Sequence, residues 1–119
     1  MKKYFYPLVE NPYRKKDISE AIKTLKTFRI TSGIKTEIFQ KQFSKKLRAN
    51  FSLLVNSGSS ANLLAFQCLI NPYRKKRLHP GDEVIVPSLC WSTSLWPIVQ
   101  SGLKPKFVDV DISTLNIDL

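Results

Sequence analysis

The feature that most constrains the fold is a helical segment, residues 60–70, whose apolar side chains lie on nearly all sides. These side chains are Ala61, Leu63, Leu64, Ala65, Phe66 and Leu69. A helix of this kind is stable only when other elements cover it on several sides. The segment therefore predicts a layered fold that buries this helix, but the three short strands expected in this chain should cover it poorly.

Short strands and a second helix surround this segment. Val84-Ile85-Val86 is a continuous apolar run, which is typical of strands covered on both faces of a parallel sheet. The predicted elements are strands at residues 51–55, 84–86 and 106–110 and helices at residues 60–70 and 92–100. We expect the helix at residues 92–100 to stop at Gly102 and to have Pro97 in its first turn. The β-α-β-α-β order predicts the α/β class.

The first 50 residues predict two amphipathic helices. Asp17 and Glu20 have the spacing of a capping box, with Asp17 as the N-cap. The helix that they begin carries Ile18, Ile22, Leu25 and either Phe28 or Ile30 on one face. The second helix runs from about Lys35 to Leu47, with Ile38, Phe39, Phe43 and Leu47 facing inward. The chain thus divides into N-terminal helices, residues 1–50, and a βαβαβ part, residues 51–119.

Length and composition limit the class of protein. A chain of 119 residues forms one domain at most. No apolar run approaches the roughly 20 residues of a membrane span. Cys68 and Cys90 lack the spacing of metal ligands, so we expect no metal site and two reduced thiols. Charged residues and Pro7 interrupt residues 1–16 before a signal-peptide core can form, which favours a cytoplasmic chain.

The net charge of +10 raises the question of a polyanionic partner. The densest cluster, residues 74–77, has no interleaved aromatic side chains of the kind that stack on single strands. We therefore expect no nucleic-acid partner, since an anionic small molecule also profits from this charge. A non-catalytic basic module that binds polyanions stays open as an alternative.

A serine-glycine run, Asn-Ser-Gly-Ser-Ser at residues 56–60, precedes the apolar helix. The first turn of a helix presents unpaired N–H groups and the positive end of the helix dipole, which together attract phosphate. Gly58 lets the backbone approach a ligand closely, and Ser59 and Ser60 add hydroxyl donors. An N-cap with a tight turn explains the same residues, and this run alone favours that simpler interpretation.

A second polar loop, residues 87–91, ends in Trp91 and follows the next predicted strand. Ligands of open α/β sheets bind at such strand ends. Trp91 can stack there on a flat ligand, although core packing is a common alternative for Trp. A phosphate cradle beside an aromatic platform suits a phosphorylated aromatic cofactor such as pyridoxal phosphate.

Three consecutive blocks, "LLVNSGSSANLLAF", "HPGDEVIVPSLCW" and "GLKPKFVDVDISTLNID", resemble the DegT/DnrJ/EryC1/StrS family of pyridoxal-phosphate-dependent sugar aminotransferases. The upstream "ITSGIKTEIFQKQFSKKL" is similar to the same family. The resemblance implies the N-terminal part of a fold type I large domain, a three-layer αβα arrangement with an incomplete sheet. It also implies a homodimer for the complete protein.

The resemblance assigns roles to four residues. Gly58, Ser59 and Ser60 match the turn that binds the cofactor phosphate, and Trp91 matches the aromatic residue that stacks on the cofactor ring. Ser59 stands where Thr is usual and keeps the hydroxyl, while Trp91 stands where Phe is usual and keeps the π-face. These residues form only part of a pyridoxal phosphate site.

The implied reaction is transfer of an amino group from an amino acid to a nucleotide-linked ketosugar, in polysaccharide or lipopolysaccharide biosynthesis. The alternative is 3-dehydration of such a sugar, because residues 71–79 are similar to the dehydratase branch. The family's Schiff-base Lys, which is His in that branch, and its C-terminal domain lie beyond the position matched by Leu119. We therefore expect no catalytic residue in this chain, no activity from it alone and low stability.

Overall fold

The computed structural model describes residues 9–10 and 12–118. They form two compact units, one up to Leu54 and one from Val55 onward. The elements are α1 (Lys15–Leu25) and α2 (Ile34–Leu47) in the first unit and α3 (Gly58–Ile70), β1 (Glu83–Pro87), α4 (Ser92–Gln100) and β2 (Lys104–Val108) in the second. None of the described helices is long and apolar enough to cross a membrane. The expected absence of a signal peptide depends mainly on residues 1–8, which lie outside the described residues.

The second unit is built on a parallel β-α-β element. β1 pairs with β2 in parallel, with Glu83 opposite Lys104 at the start and Pro87 opposite Val108 at the end. Parallel neighbours require a crossover, and α4 provides it. The predicted α/β class is confirmed at this level, as a mixed helix-and-strand chain with a small parallel sheet.

The core of the second unit is small. Val86 of β1, Ile98 of α4 and Leu103 before β2 are buried. The half-buried side chains around them are Phe66, Ile70, Leu78, Val84 and Leu95. α3 therefore packs through one side only, and none of its residues is buried. The expectation that this chain covers the helix poorly is confirmed for the described residues, because their helix and sheet packing reaches one side of it.

The end of α4 is a Schellman turn centred on Gly102. Gly102 has a φ of 72°, and its N–H donates to the carbonyl of Val99 at 3.0 Å. The Leu103 N–H donates to the carbonyl of Ile98 at 3.1 Å. These two bonds satisfy carbonyls that the helix end leaves free, and they bring Ile98 against Leu103 in the core. The predicted stop at Gly102 is confirmed.

Residues 51–55 form no strand, so this part of the prediction is wrong. Ser52 Oγ instead donates to the carbonyl of Gln40 at 2.6 Å and accepts from Ser44 Oγ at 2.9 Å, both of them on α2. A strand needs a neighbour for its backbone groups, and the described sheet contains only β1 and β2. In this stretch, Ser52 is therefore held by side-chain hydrogen bonds to α2 and not by backbone hydrogen bonds to a neighbouring strand.

Two further boundaries differ from the prediction. β2 begins two residues early, at Lys104, which lies opposite Glu83, the first residue of β1, and its pairing with β1 ends at Val108. Val110 forms an isolated antiparallel bridge with Ile117 instead of continuing the strand. Pro97 lies in the middle of α4 and not in its first turn, which leaves a helix carbonyl without its usual donor.

The first unit begins differently from its prediction. Arg14 is the N-cap of α1 and Asp17 is the third helical residue, so the predicted Asp17–Glu20 capping box is wrong. The Arg14 N–H donates to the Asp17 carboxylate at 2.9 Å, and the Arg14 side chain also pairs with it. The hydrogen bonds from Arg14 hold the pKa of Asp17 below its usual value. Arg14 reaches the carboxylate because its long side chain folds back over the first turn.

The apolar faces of α1 and α2 are exposed, contrary to the prediction. The exposed side chains include Ile18, Ile22, Leu25, Ile38, Phe39, Phe43 and Leu47. In the described part of the chain these two helices do not pack against each other. Glu20 instead links them through its side chain, which pairs with Lys23 at 2.8 Å and with Lys35 of α2 at 3.0 Å. An ion-pair link of this kind leaves both apolar faces uncovered.

The ion pairs of Glu20 predict a measurable titration. Lys23, and then Lys35, lower the pKa of Glu20 from 4.5 to about 2. Because the folded pKa is depressed, the link stabilises the unit above pH 4.5 and is lost as the pH falls toward 2. NMR titration of the Glu20 carboxyl carbon should give a midpoint well below 4.5 at low salt. Lys35→Ala should raise this midpoint, and 1 M salt should too. A midpoint unchanged by both would contradict the link.

The Schellman turn predicts different effects of alanine at two glycines. Gly102→Ala should lower the free energy of opening at the Leu103 amide by about 1 kcal/mol, because an L-residue is strained at positive φ. Gly58→Ala is the matched control: its backbone is not left-handed, and an added Cβ meets no atom within 4 Å. Amide hydrogen exchange measures both. Equal effects of the two changes would show that φ at Gly102 is not the cause.

Candidate functional site

The start of α3 is capped by Ser57, which lies in extended conformation. Its Oγ accepts from the Ser60 N–H at 3.2 Å, and its hydroxyl donates to Ser60 Oγ at 3.1 Å. Gly58 is the first residue of α3, so the helix begins two residues before the predicted start at residue 60. Ser59 and Ser60 lie at the helix N-terminus as predicted.

Donor groups remain free at this helix start. The N–H groups of Gly58 and Ser59 lie in the first turn, and neither has an acceptor among the described residues. A Cβ added at Gly58 would meet no atom within 4 Å, so the space in front of the backbone is open. The positive end of the α3 dipole points into the same space. This donor set fits a phosphate group, which binds to N–H and hydroxyl donors.

Trp91 lies at the start of α4, as its N-cap residue. Its carbonyl accepts from the Ser94 N–H at 2.8 Å, while its side chain is 77% exposed. The loop before it leaves β1 through Ser88, whose N–H donates to the Val108 carbonyl at 2.7 Å. The large exposed fraction leaves the Trp91 ring accessible to a ligand.

A hydrogen bond joins the starts of α3 and α4. Asn62 Nδ2, one turn into α3, donates to the Thr93 carbonyl at 3.3 Å. The four predicted site residues therefore belong to two helix starts that are held side by side. Asn62 and Thr93 are not among the site residues predicted from the sequence. The available signal was Pro97, which lies four residues after Thr93 inside the helix and cannot bond to its carbonyl.

A shallow cleft of ≈ 280 Å³ lies between these two helices. It is lined by Ser59, Ser60, Leu63, Thr93, Trp96, Pro97 and Gln100. The aromatic side chain beside the two serines is thus Trp96, and Trp91 does not line the cleft. A larger cavity of ≈ 750 Å³ lies in the first unit, between residues 20 and 36, and contains none of the predicted site residues.

Carboxylates after β2 belong to a turn. The Asp111 carboxylate accepts from the Ser113 side chain and from the backbone N–H groups of Ser113 and Thr114. These bonds, with the Ser113 side chain first, lower the pKa of Asp111. No group of three or more His, Cys, Asp or Glu side chains suited to a metal ion occurs among residues 9–10 and 12–118.

Comparison with known proteins identifies the family. Residues 12–119 match the sequence pattern of the DegT/DnrJ/EryC1/StrS aminotransferase family. The chain belongs to this family. The expectation drawn from the three sequence blocks is therefore confirmed.

Similar proteins include two sugar dehydratases. The chain is 40% identical over 114 residues to a GDP-4-keto-6-deoxy-D-mannose 3-dehydratase of Escherichia coli O55:H7, a match that covers 96% of this chain and 29% of the relative. It is 45% identical over 89 residues to a dTDP-4-dehydro-2,6-dideoxy-D-glucose 3-dehydratase of Saccharopolyspora spinosa, which covers 74% of this chain and 19% of that protein. The chain thus spans less than a third of the length of these relatives.

A solved structure shows the same fold. The E. coli GDP-4-keto-6-deoxy-D-mannose-3-dehydratase with bound hydrated pyridoxal phosphate superposes with a TM-score of 0.85 at 40% identity. The match covers 95% of this chain and 29% of that one. The described arrangement of helices and strands is therefore that of the corresponding part of this enzyme.

The cap of α3 predicts different roles for neighbouring serines. Ser57→Ala should lower the free energy of opening of the first turn of α3 by about 1 kcal/mol, because it removes the acceptor of the Ser60 N–H. Ser59→Ala should change it by less than about 0.5 kcal/mol, since the Ser59 side chain makes no hydrogen bond within the described residues. Amide exchange at Ser60 and Ala61 measures both changes. A larger loss in Ser59→Ala would contradict this assignment.

Proposed function

We propose that the chain is the N-terminal part of the fold type I large domain of a pyridoxal-phosphate-dependent nucleotide-sugar 3-dehydratase. The supporting observation is the open set of phosphate donors at the start of α3, in a chain 40% identical over 114 residues to such a dehydratase. The division into N-terminal helices, residues 1–50, and a cofactor-binding part, residues 51–119, belongs to the same proposal.

The proposed cofactor site uses the two helix starts. The N–H groups of Gly58 and Ser59 and the hydroxyls of Ser59 and Ser60 hold the phosphate, and the positive end of the α3 dipole offsets its charge. Trp91 packs its exposed ring on the cofactor ring. When bound, pyridoxal phosphate supplies an electron sink for breaking bonds next to an amine-bearing carbon. The chain's own share is to anchor and orient this group.

Dehydration is favoured over amino transfer as the reaction. The first expectation was an aminotransferase, but the relatives described above are 3-dehydratases and so support the alternative better. Residues 71–79, which suggested that alternative, form turns after α3 that are exposed except at Leu78. Asn71 shapes the first turn by accepting from the Tyr73 N–H at 2.9 Å.

Amino transfer to a nucleotide-linked ketosugar is the second candidate, supported by the aminotransferase description of the family as a whole. Either enzyme takes a nucleotide sugar and an amino-acid donor, acts in polysaccharide or lipopolysaccharide biosynthesis, and works as a cytoplasmic homodimer. The net charge of +10 suits an anionic substrate of this class.

The complete protein distinguishes the two reactions. Purified with pyridoxal phosphate, it should convert a GDP-linked 4-keto-6-deoxy sugar, with ¹⁵N-glutamate present, into a product that lacks the C3 hydroxyl and carries no ¹⁵N. Mass spectrometry of the sugar reads both changes. A product that retains the hydroxyl and gains ¹⁵N would indicate the aminotransferase. A Lys in the Schiff-base position supports the aminotransferase, and a His supports the dehydratase.

The cofactor site is tested with pyridoxamine phosphate, which lacks the aldehyde that reacts with exposed lysines. Binding to this chain should quench tryptophan fluorescence. Gly58→Ala should weaken binding about tenfold or more, because the phosphate must come close to the backbone at this residue and a methyl group limits that approach, while the fold has room for it. Trp91→Ala should also weaken it. Lys45→Ala, an exposed change on α2, is the control and should have no effect. Equal affinity in all three variants would overturn the cofactor site.

A further inference from the structure

The Thr93 carbonyl lacks its regular α-helical donor. In a regular α-helix this oxygen accepts from the N–H four residues later, which here is residue 97. Pro97 has no N–H, and its ring crowds the same carbonyl. Thr93 is half-buried, so without a donor from the protein its carbonyl would depend on solvent for a partner.

The missing donor comes from another helix. Asn62 Nδ2 of α3 reaches the Thr93 oxygen at 3.3 Å, across 31 residues of sequence. Asn62 lies one turn after Gly58, and Thr93 lies two residues after Trp91. The bond therefore joins the two helix starts within a few residues of the positions proposed to contact the cofactor.

We propose that Asn62 is a positioning residue, whose amide replaces the backbone donor that Pro97 lacks and thereby sets the start of α4 against the start of α3. This inference deepens the proposed function and rests on it where it concerns the cofactor. With any other residue at position 97, the helix would satisfy its own carbonyl and would need nothing from α3. Pro97 therefore makes the placement of Trp91 depend on Asn62.

Pro97 is itself tied to the core. It is buried, next to Ile98, which is 1% exposed. Its ring thus contributes packing on the inner side of α4, while its missing N–H frees a bonding position for α3. Pro97 therefore packs the middle of α4 against the core and also leaves the Thr93 carbonyl, in the first turn, available to a donor from outside the helix.

Gln67 offers a matched control on the same pair of helices. Its Nε2 donates to Ser101 Oγ at 3.4 Å, at the opposite end of α4. This contact also joins α3 to α4 but does not involve the Thr93 carbonyl. Removing it should therefore have an effect that is independent of residue 97.

A double-mutant cycle read by amide exchange tests the bond. Asn62→Leu should speed exchange at the Leu95 and Trp96 amides about fivefold in the chain with Pro97. In the Pro97→Ala chain, the new N–H of residue 97 bonds to the Thr93 carbonyl, so the same change should have less than about a twofold effect. Asn62→Asp, which keeps the shape and a favourable early-helix residue but loses the donor, should behave like Asn62→Leu. Gln67→Leu should give equal effects with either residue at position 97.

A second measurement reads the position of Trp91. In a Trp96→Phe background, Trp91 is the only tryptophan, and its quenching by pyridoxamine phosphate reports ring stacking. Asn62→Leu should weaken this binding about fivefold, and Pro97→Ala should restore it to within about twofold. Inorganic phosphate, which needs only the start of α3, should bind equally to all of these variants. A merely structural loss would weaken both ligands and would not be rescued by Pro97→Ala.

The outcomes separate the two proposals. An exchange cycle in which Asn62→Leu has the same effect in the chain with Pro97 and in the Pro97→Ala chain overturns the positioning role, whether or not pyridoxamine phosphate binds. Absence of quenching in the unaltered chain overturns the cofactor site, while the exchange cycle still decides the role of Asn62. The inference is supported if Asn62→Leu changes both amide exchange and pyridoxamine phosphate binding in the chain with Pro97 and changes them much less in the Pro97→Ala chain.

Discussion

The rest of the second unit depends on the left-handed turn at Gly102. Its two hydrogen bonds close the end of α4 and set Ile98 against Leu103, two of the three buried side chains of the core. The same turn sends the chain into β2 with the register that makes it parallel to β1. The Gly102 carbonyl also accepts from the Gly81 N–H at 2.8 Å, which ties the entry of β1 to the exit of α4. A residue that resists positive φ would disturb all of these contacts together.

α4 is thus fixed at its two ends by different means. Its C-terminal end is held by backbone bonds and apolar packing, which need only local sequence. Its N-terminal end is held by the Asn62 amide from another helix, because Pro97 removes the local donor. The buried end gives stability, while the other end carries the exposed Trp91 and is joined to α3 at Asn62. The part of α4 that needs a donor from outside the helix is therefore also the part that carries Trp91, the residue proposed to contact the cofactor. Departures from local rules of helix formation are expected at functional sites.

The features that could be predicted from the sequence are those set by residues close to them in the chain. The continuous apolar run of β1, the bounds of α4 and the stop at Gly102 follow from residues within a few positions of each feature. Prediction from the sequence failed where the cause is distant. Residues 51–55 have a strand-like composition, yet they become a strand only if a neighbour accepts their backbone groups, and Ser52 bonds to α2 instead. The bond between Asn62 and Thr93 requires the packing of two helices, and no periodicity in the sequence reveals it.

In the proposed site, the residues that bind the cofactor differ from the groups that determine which reaction takes place. The proposed contacts, amide donors at Gly58 and Ser59 for a phosphate and the exposed Trp91 ring for a flat ring, are the same whichever bond is broken. Amino transfer and 3-dehydration therefore have the same requirement for the starts of α3 and α4. Because the proposed contacts are to the phosphate and the ring, changes at these residues should act on affinity and ring orientation. The choice between the two reactions belongs to groups that act on the carbon beside the amine, and the support for dehydration comes from similarity along the chain as a whole.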